Sequence, residues 1–180
     1  MSALFLVEIV PGPGRLPLDT LSQVDERVRG TGAQLIEAQV TSDAGRIFTI
    51  IEADTTAQIT EALEGLEAEE VSEPARVRLV GADLDEIKAA RPEAGYLVEW
   101  DIPASIDMDT YLARKKAKSP LYANVPEVSF LRTYVREDMA KCLCFYDGPD
   151  SAAIERAREA VSTPIDRLHT LVHLPAGVEL

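Results

Sequence analysis

An acidic side chain stands in the middle of an apolar strand at two places in the chain. Glu8 lies within LFLVEIV and Glu99 lies within YLVEWDI. A carboxylate that is buried without a partner is costly, so each position calls for a cation or a ligand. When side chains alternate along the predicted strands, Arg132, Arg167 and His169 share the face of Glu99. The pattern predicts a polar site that contains Glu99.

Proton transfer is one chemistry that these residues could perform. A Glu or His in an apolar pocket can act as a general base or acid, so Glu99 and His169 are candidate catalytic residues. Tyr134 is the third candidate, because a phenol can donate a hydrogen bond to an enolate-like oxygen. The side chains of the same predicted face that would contact a small ligand are Glu8, Glu37, Arg132, Tyr146 and Arg167.

Metal binding is the alternative chemistry. Transition metals accept imidazole, thiolate and carboxylate ligands, and Cys144, His169 and Glu99 on neighbouring predicted strands form the best-matched trio. His173 lies four strand residues beyond His169, roughly 13 Å away, so these two imidazoles could not share one ion in a regular strand. A core His and a core Cys, or an ion-pair network that satisfies itself, are the structural alternatives. A nucleophilic Cys144 would need a base, and its apolar strand context argues against one.

The two Glu-bearing strands open two similar halves of the chain. In each half the hydrophobic spacing predicts the order strand, helix, strand, strand, helix, strand. The residues predicted to begin the helices are Asp19 or Thr20, Thr55 or Thr56, Asp107 or Asp109, and Asp150. We therefore predict one repeat at 1–81, a short helical linker at 82–94 and a second repeat at 95–180.

This element order is that of the ferredoxin-like motif, an antiparallel sheet with both helices on one face. The uncovered sheet face is apolar and must find a partner, and the second repeat is the partner we predict. The predicted fold class is therefore α+β, with two tandem ferredoxin-like repeats packed sheet to sheet as an intramolecular α/β-barrel pseudo-dimer. The polar residues named above would line a cavity between the sheets.

The more uniformly apolar side of each strand is predicted to face the helices. On the third strand of each repeat that side carries Phe48 and Ile50, or Leu143 and Phe145. The residues that would then face the cavity from the third strands are Thr49, Cys142, Cys144 and Tyr146.

Composition narrows the classes of partner. The 180-residue chain has 31 acidic and 18 basic residues and a formal charge of −13, which argues against nucleic acids and anionic membranes. It has no apolar run long enough to span a bilayer, and its first residues lack the features of a signal peptide. Its 2 Cys make no disulfide framework. We expect a cytoplasmic monomer or homodimer whose partner is a small molecule or a metal ion.

Four segments of the second repeat resemble a family of small ferredoxin-like domains described as nickel-binding proteins. They are YLVEWDIP, LRTYVRED, CFYDGPD and PIDRLHTL, and the resemblance covers about residues 95–172. It implies a nickel ion as the bound group and a pairing of two such domains, but it assigns no ligand residue by residue. In the first repeat Glu8 is kept, whereas Thr49 and Ile51 replace the Cys and the Tyr, which indicates a degenerate copy.

The sequence therefore predicts binding of a small ligand or metal ion, nickel by resemblance, in a polar cavity. The alternative is a cofactor-independent enzyme of isomerase, cyclase or monooxygenase type that uses Glu99 or His169 as its acid or base. The third class is a protein-interaction or stress-associated module without chemistry in a cavity.

Overall fold

The computed structural model describes residues 2–90 and 93–172, which fold as two compact units. Of the described residues, the first unit contains 2–77, 84–90 and 172, and the second contains 78–83 and 93–171. No helix within these ranges has the length and apolar character needed to cross a membrane.

The first unit is built around a central strand with a carboxylate in it. Its elements in chain order are β1 (Ala3–Pro11), α1 (Pro17–Gly30), β2 (Gln34–Val40), β3 (Ile47–Ala53), α2 (Thr56–Leu63), β4 (Ala68–Val71), β5 (Ala75–Val80) and α3 (Leu84–Ala90), although β5 from Arg78 onward belongs to the second unit. Strand β1 pairs antiparallel with β3, and β3 pairs antiparallel with β2. The other side of β1 is shared, because β4 pairs with one end and β5 with the other.

The second unit repeats this plan. Its elements are β6 (Tyr96–Asp101), α4 (Met108–Lys118), a 3₁₀ helix (Ser119–Asn124), β7 (Ser129–Arg136), β8 (Lys141–Asp147), α5 (Ser151–Ala160) and β9 (Arg167–Thr170). The strand order is β7-β8-β6-β9, and the pairs are antiparallel. This is the ferredoxin-like arrangement in both units, so the predicted α+β class with tandem ferredoxin-like repeats is confirmed.

Side-chain caps fix where three of the helices begin. Thr55 forms a capping box with Gln58 at the start of α2. The Asp107 carboxylate accepts from the Thr110 amide in α4, and Asp150 accepts from the Ala153 amide in α5. Helix α1 begins at Pro17, which lies within one turn before the predicted start at Asp19 or Thr20. A Pro fits the first helical position, where its missing N–H leaves no bond unmade.

The predicted side-chain direction of the third strands is wrong in both units. Val7 pairs with Thr49 and Val98 pairs with Cys144, and directly paired residues lie on one face of a sheet. Val7 and Val98 belong to the cores that pack against the helices. The residues that face the helices are therefore Thr49, Cys142, Cys144 and Tyr146, whereas Phe48, Ile50, Leu143 and Phe145 lie on the opposite face.

A β-bulge occurs at the same place in each repeat. The register shifts between Leu35 and Glu37 in β2 and between Phe130 and Arg132 in β7. Beyond the bulge, Glu37 falls on the sheet face of Glu8, and Arg132 falls on the face of Glu99. These two positions are as predicted.

Candidate functional site

Glu99 is the centre of an ion-pair cluster on the sheet face that does not pack against the helices. Its side chain is only 2% exposed, and one oxygen accepts from Lys141 Nζ at 2.6 Å. The other oxygen accepts from Arg167 Nε and from His169 Nε2, each at 2.8 Å. Since a carboxylate can only accept, the His169 proton lies on Nε2. Arg167 also binds Asp101 through both terminal nitrogens, at 2.5 and 3.0 Å.

The cluster holds Glu99 in its ionised form. Burial is the largest single influence and raises the pKa of Glu99, but hydrogen bonds from His169, Lys141 and Arg167 outweigh it and lower the pKa to about 2. The pKa of Asp101 is lowered mainly by its hydrogen bonds with Arg167. A carboxylate with such a low pKa and two occupied oxygens is a weak proton acceptor at neutral pH.

The structure brings together only part of the predicted site. Glu99, Arg167 and His169 are in contact, and Arg132 and Tyr134 lie on the same face of the second unit. The last two are buried and pack on Phe145. The Arg132 guanidinium carbon is 5.0 Å from the ring centre, and the Tyr134 ring is edge-on at 5.9 Å.

The predicted site residues of the first unit have partners of their own. The Glu8 carboxylate lies 3.4 Å from Arg46 Nη1. The buried Glu37 carboxylate accepts from Gln39 Nε2 at 2.8 Å. These contacts resemble the self-satisfied network that the sequence left as an alternative.

The predicted trio of Cys144, His169 and Glu99 is not assembled. Cys144 lies on the helix-covered face of β8, together with Tyr146, and so on the other side of the sheet from Glu99 and His169. Within residues 2–90 and 93–172 no three His, Cys, Asp or Glu side chains are grouped so as to hold a metal ion. His173 lies outside the described residues.

The second unit contains a pocket on its helix-covered face, which we call the thiol pocket. Its cavity volume is about 30 Å³, enough for water or a small ion but not for a drug-sized molecule. The residues that line it are Trp100, Tyr111, Arg114, Lys115, Lys118, Ser119, Tyr122, Cys142, Cys144, Arg158, Val161 and Thr163. Helices α4 and α5, the 3₁₀ helix and strand β8 supply most of these side chains.

The charged side chains that line the thiol pocket are all positive. Four cationic side chains line it and no carboxylate does, in a chain whose net charge is −13. In the described part of the chain none of the four, Arg114, Lys115, Lys118 and Arg158, forms an ion pair with Asp or Glu. The Nε atoms of Arg114 and Arg158 are buried and have no hydrogen-bond partner there. Buried donors of this kind are uncommon, and either an ordered water molecule or a bound anion would satisfy them.

Cys144 lies against the most buried of these cations. Its sulfur accepts from Thr133 Oγ1 at 3.3 Å and from Arg158 Nη1 at 3.6 Å, and Cys142 Sγ lies at 3.8 Å. Arg158 Nη1 also donates to Tyr146 Oη at 3.1 Å, and that hydroxyl is 2.5 Å from Tyr122 Oη. Arg158 thus joins the thiol to a pair of phenols.

The titration of these groups follows from their surroundings. The pKa of Cys144 lies well below its ordinary value, first because of its hydrogen bond with Cys142 and then because of the charges of Arg158 and Lys115, although burial opposes the change. The pKa of Cys142 is raised by its hydrogen bond with Cys144 and by burial. Burial raises the pKa of Tyr146 well above its ordinary value, so this phenol stays protonated.

The cations of the thiol pocket were not predicted from the sequence. One signal was present. Ile154 and Arg158 are four residues apart on the buried stripe of α5, so an Arg stands where the core expects an aliphatic side chain. Arg114 and Lys115 gave no such signal, because a run of basic residues on a helix is usually a solvated face.

Comparisons with known proteins concern the second unit above all. Residues 96–171 match the SCO4226-like family model, described as nickel responsive protein SCO4226-like. The crystal structure of SCO4226 from Streptomyces coelicolor A3(2) is 20% identical over 46% of this chain and 100% of that chain, with a TM-score of 0.39. No curated protein matches the chain.

Two solved structures are similar over nearly the whole chain. One is described as a candidate monooxygenase from Lactobacillus acidophilus NCFM and is 9% identical to this chain. The match covers 96% of this chain and 94% of that protein, with a TM-score of 0.50. The other, of the same description, is from Fusobacterium nucleatum and is 11% identical over 94% and 91%, with a TM-score of 0.48. At this identity the first of them supports the fold and nothing more.

Proposed function

We propose that the stretch which matches the nickel-responsive family, residues 96–171, binds a small anion in the thiol pocket. The observation that carries the proposal is the set of four cations without carboxylate partners around one cavity. Of the four, Arg158 is buried and the other three are partly exposed. A desolvated cation is costly unless an anion or a hydrogen-bond acceptor compensates it. The most economical acceptor is a small anion with two or more oxygens, such as a carboxylate or an oxyanion.

The two unpaired Nε atoms sharpen this argument. Arg158 donates through Nη1 to Tyr146 and through Nη2 to the Pro164 carbonyl oxygen at 2.7 Å, so its orientation is fixed while Nε is unused. Arg114 donates through Nη2 to the Ser162 carbonyl oxygen at 2.5 Å and also leaves Nε unused. Arg114 is therefore held by a neutral partner and keeps its charge for a ligand, while Arg158, which also donates to Cys144 Sγ at 3.6 Å, keeps its Nε for one.

Nickel, the ion that the family description mentions, does not fit the described side chains as a resident group. At the Glu99 cluster both carboxylate oxygens are occupied by cations, which a nickel ion would have to displace. At the thiol pocket the two sulfur atoms stand among four positive charges, which repel a metal cation. A response to nickel and binding of nickel at these side chains are thus separate properties.

The enzyme alternative has no support from its predicted acid or base. Glu99 is ionised and accepts hydrogen bonds from Lys141, Arg167 and His169. Cytoplasmic location and a monomeric or homodimeric state stay predictions of the sequence.

Calorimetry of the full-length protein tests the anion proposal. Sodium sulfate and sodium formate, titrated separately in a low-chloride buffer, should bind with one site per chain. Arg114→Gln and Lys115→Gln should each weaken binding about tenfold, because each removes one charge-assisted contact. Lys116→Gln is the matched control, since Lys116 is exposed on the same helix and does not line the pocket.

Two results would count against this assignment. Absence of binding for both anions, or an equal loss in the Lys116→Gln control, would refute the pocket as an anion site. Nickel chloride is titrated in parallel. Stoichiometric nickel binding that His169→Ala removes would show that nickel does fit these side chains and would assign a metal to the Glu99 cluster instead.

A further inference from the structure

We infer that Cys144 is a nucleophilic thiolate and that the thiol pocket admits a small electrophile which itself carries a negative charge. The preference for a negatively charged electrophile rests on the proposed anion binding. The nucleophilic character of Cys144 is supported separately, by the hydrogen bonds and charges around its sulfur. The sequence argued against a reactive Cys144 because it placed that side chain in an apolar environment. The contacts of the folded chain reverse this argument.

The hydrogen bonds of Cys144 are those of an acceptor. Thr133 Oγ1 and Arg158 Nη1 both donate to its sulfur, and the Cys142 thiol is in place to donate a third hydrogen bond at 3.8 Å. A thiol is a weak acceptor, while a thiolate accepts several donors well. Three potential donors directed at one sulfur therefore favour its ionised form.

Charge balance gives independent support. Arg158 is 3% exposed, is always protonated, and has no carboxylate partner among the described residues. Of its contacts, the Pro164 carbonyl is neutral and the Tyr146 phenol is kept protonated by burial. The Cys144 sulfur is the remaining contact and can carry the compensating charge.

Every element packed against Cys144 contributes to its electrostatic environment. Lys115 is the other nearby cation, and the thiol pocket adds Arg114 and Lys118 at its wall. The titratable and charged groups that face the sulfur or share its pocket are Tyr111, Arg114, Lys115, Lys118, Tyr122, Cys142, Tyr146 and Arg158. Since no carboxylate lines the pocket, the summed charge of these groups favours an anionic sulfur and an anionic ligand.

The chemical step that follows is a simple displacement. The Cys144 sulfur uses a lone pair to form a bond to an electrophilic carbon, and the leaving group departs with the electron pair of the broken bond. No proton is transferred in this step, because the sulfur is already deprotonated. The Arg114 and Lys115 side chains hold the negative group of the electrophile. With iodoacetate, an S–C bond forms, the C–I bond breaks and iodide leaves.

Alkylation of the full-length protein with two reagents separates the two parts of the inference. Iodoacetamide is neutral and reports the thiolate, whereas iodoacetate is anionic and also reports the cations. Mass spectrometry of peptides should locate the label on Cys144, with a midpoint pH below the roughly 8.5 of free cysteine. The ratio of the iodoacetate rate to the iodoacetamide rate should exceed that of glutathione measured in the same buffer.

Matched variants assign the label and the charge effect. Cys144→Ser should abolish labelling of the folded protein, while Cys142→Ser keeps Cys144 reactive. Lys115→Gln should lower the iodoacetate rate at least about threefold more than the iodoacetamide rate, as expected for one lost charge near the site. Lys116→Gln should leave the ratio unchanged.

The outcomes are distinguishable from those of the anion proposal. Labelling of either cysteine only after unfolding in urea would overturn the nucleophile, while sulfate binding in Cys144→Ser would still show the anion site. Rapid iodoacetamide labelling of Cys144 without any advantage for iodoacetate would overturn the charge preference. Preferential labelling of Cys142 would overturn the assignment of the thiolate.

Discussion

Burial of the Glu99 carboxylate costs free energy, whereas the hydrogen bonds that it accepts stabilise the fold. Its carboxylate is almost fully buried in β6, yet each oxygen is bound by at least one cationic or imidazole donor. Such a group stabilises the fold only while it is ionised, because the neutral form loses its charge-assisted hydrogen bonds. The pH dependence of stability should therefore carry the signature of this one residue.

Replacement of Glu99 by Gln tests this signature. The pKa of Glu99 falls from 4.5 to about 2 in the folded protein, which corresponds to about 3 kcal/mol of stability. Because the folded pKa is depressed, that stability is complete above the unfolded value and is lost as the pH falls from 4.5 towards 2. We expect Glu99→Gln to lower the free energy of unfolding by about 3 kcal/mol at pH 7, and we expect the difference to shrink across this window.

Urea unfolding of both proteins at pH 7, 4.5 and 3 measures the effect. Glu155→Gln is the control, since Glu155 is exposed on α5 and should change stability by less than about 0.5 kcal/mol. A difference between Glu99→Gln and the parent protein that does not vary with pH would contradict the low pKa.

Some residues of the two clusters could be identified from the sequence, and others could not. Glu99 could be found because a carboxylate in an apolar strand breaks the alternation that surrounds it. Arg167 and His169 could be placed on its face because β9 is regular. The contact between Cys144 and Arg158 could not be predicted, because it depends on how α5 packs on β8. Hydrophobic periodicity predicts each element but not how two elements pack together.

At the scale of elements, the central strands explain the largest error. Strand β8 is buried on both faces, as Cys144 and Phe145 are each 1% exposed. Apolar character therefore cannot tell which face meets the helices, and the choice of Leu143 and Phe145 was wrong. The register with β6 decides it, through the pair Val98 and Cys144. The capped helices were easier to predict, because a cap is a local interaction.

The cap of α5 gives a prediction for an element. Asp150 accepts from the Ala153 amide at 2.8 Å, and α5 carries Arg158 into the thiol pocket. Asp150→Ala should lower the free energy of unfolding by about 1 kcal/mol, whereas Asp150→Ser should restore most of it. Urea unfolding monitored by circular dichroism measures both variants. An Ala variant as stable as the parent protein would show that packing alone fixes the start of α5.

At the scale of the whole molecule, the two repeats share a scaffold but not a chemistry. Positions separated by 95 residues correspond in β3 and β8, since Thr49 pairs with Val7 as Cys144 pairs with Val98. With this offset Ile51 stands in place of Tyr146 and Leu63 in place of Arg158. The thiol, the phenol and the guanidinium of the second unit are thus replaced by a hydroxyl and two aliphatic side chains. The resemblance of the second repeat alone to a known family agrees with this division.

We therefore expect the thiol chemistry in the second unit and not at the matching positions of the first, and two matched Thr variants test this expectation. Thr49 Oγ1 donates to the Val7 carbonyl oxygen at 2.8 Å, and Thr133 Oγ1 donates to Cys144 Sγ at 3.3 Å. Thr49→Val and Thr133→Val each remove one buried hydroxyl, so each should cost about 1 kcal/mol of unfolding free energy. Only Thr133→Val takes a donor from the thiolate, so it alone should raise the midpoint pH of iodoacetamide labelling. Equal midpoints in the two variants, measured by mass spectrometry beside urea unfolding, would show that the Thr133 hydroxyl does not support the thiolate.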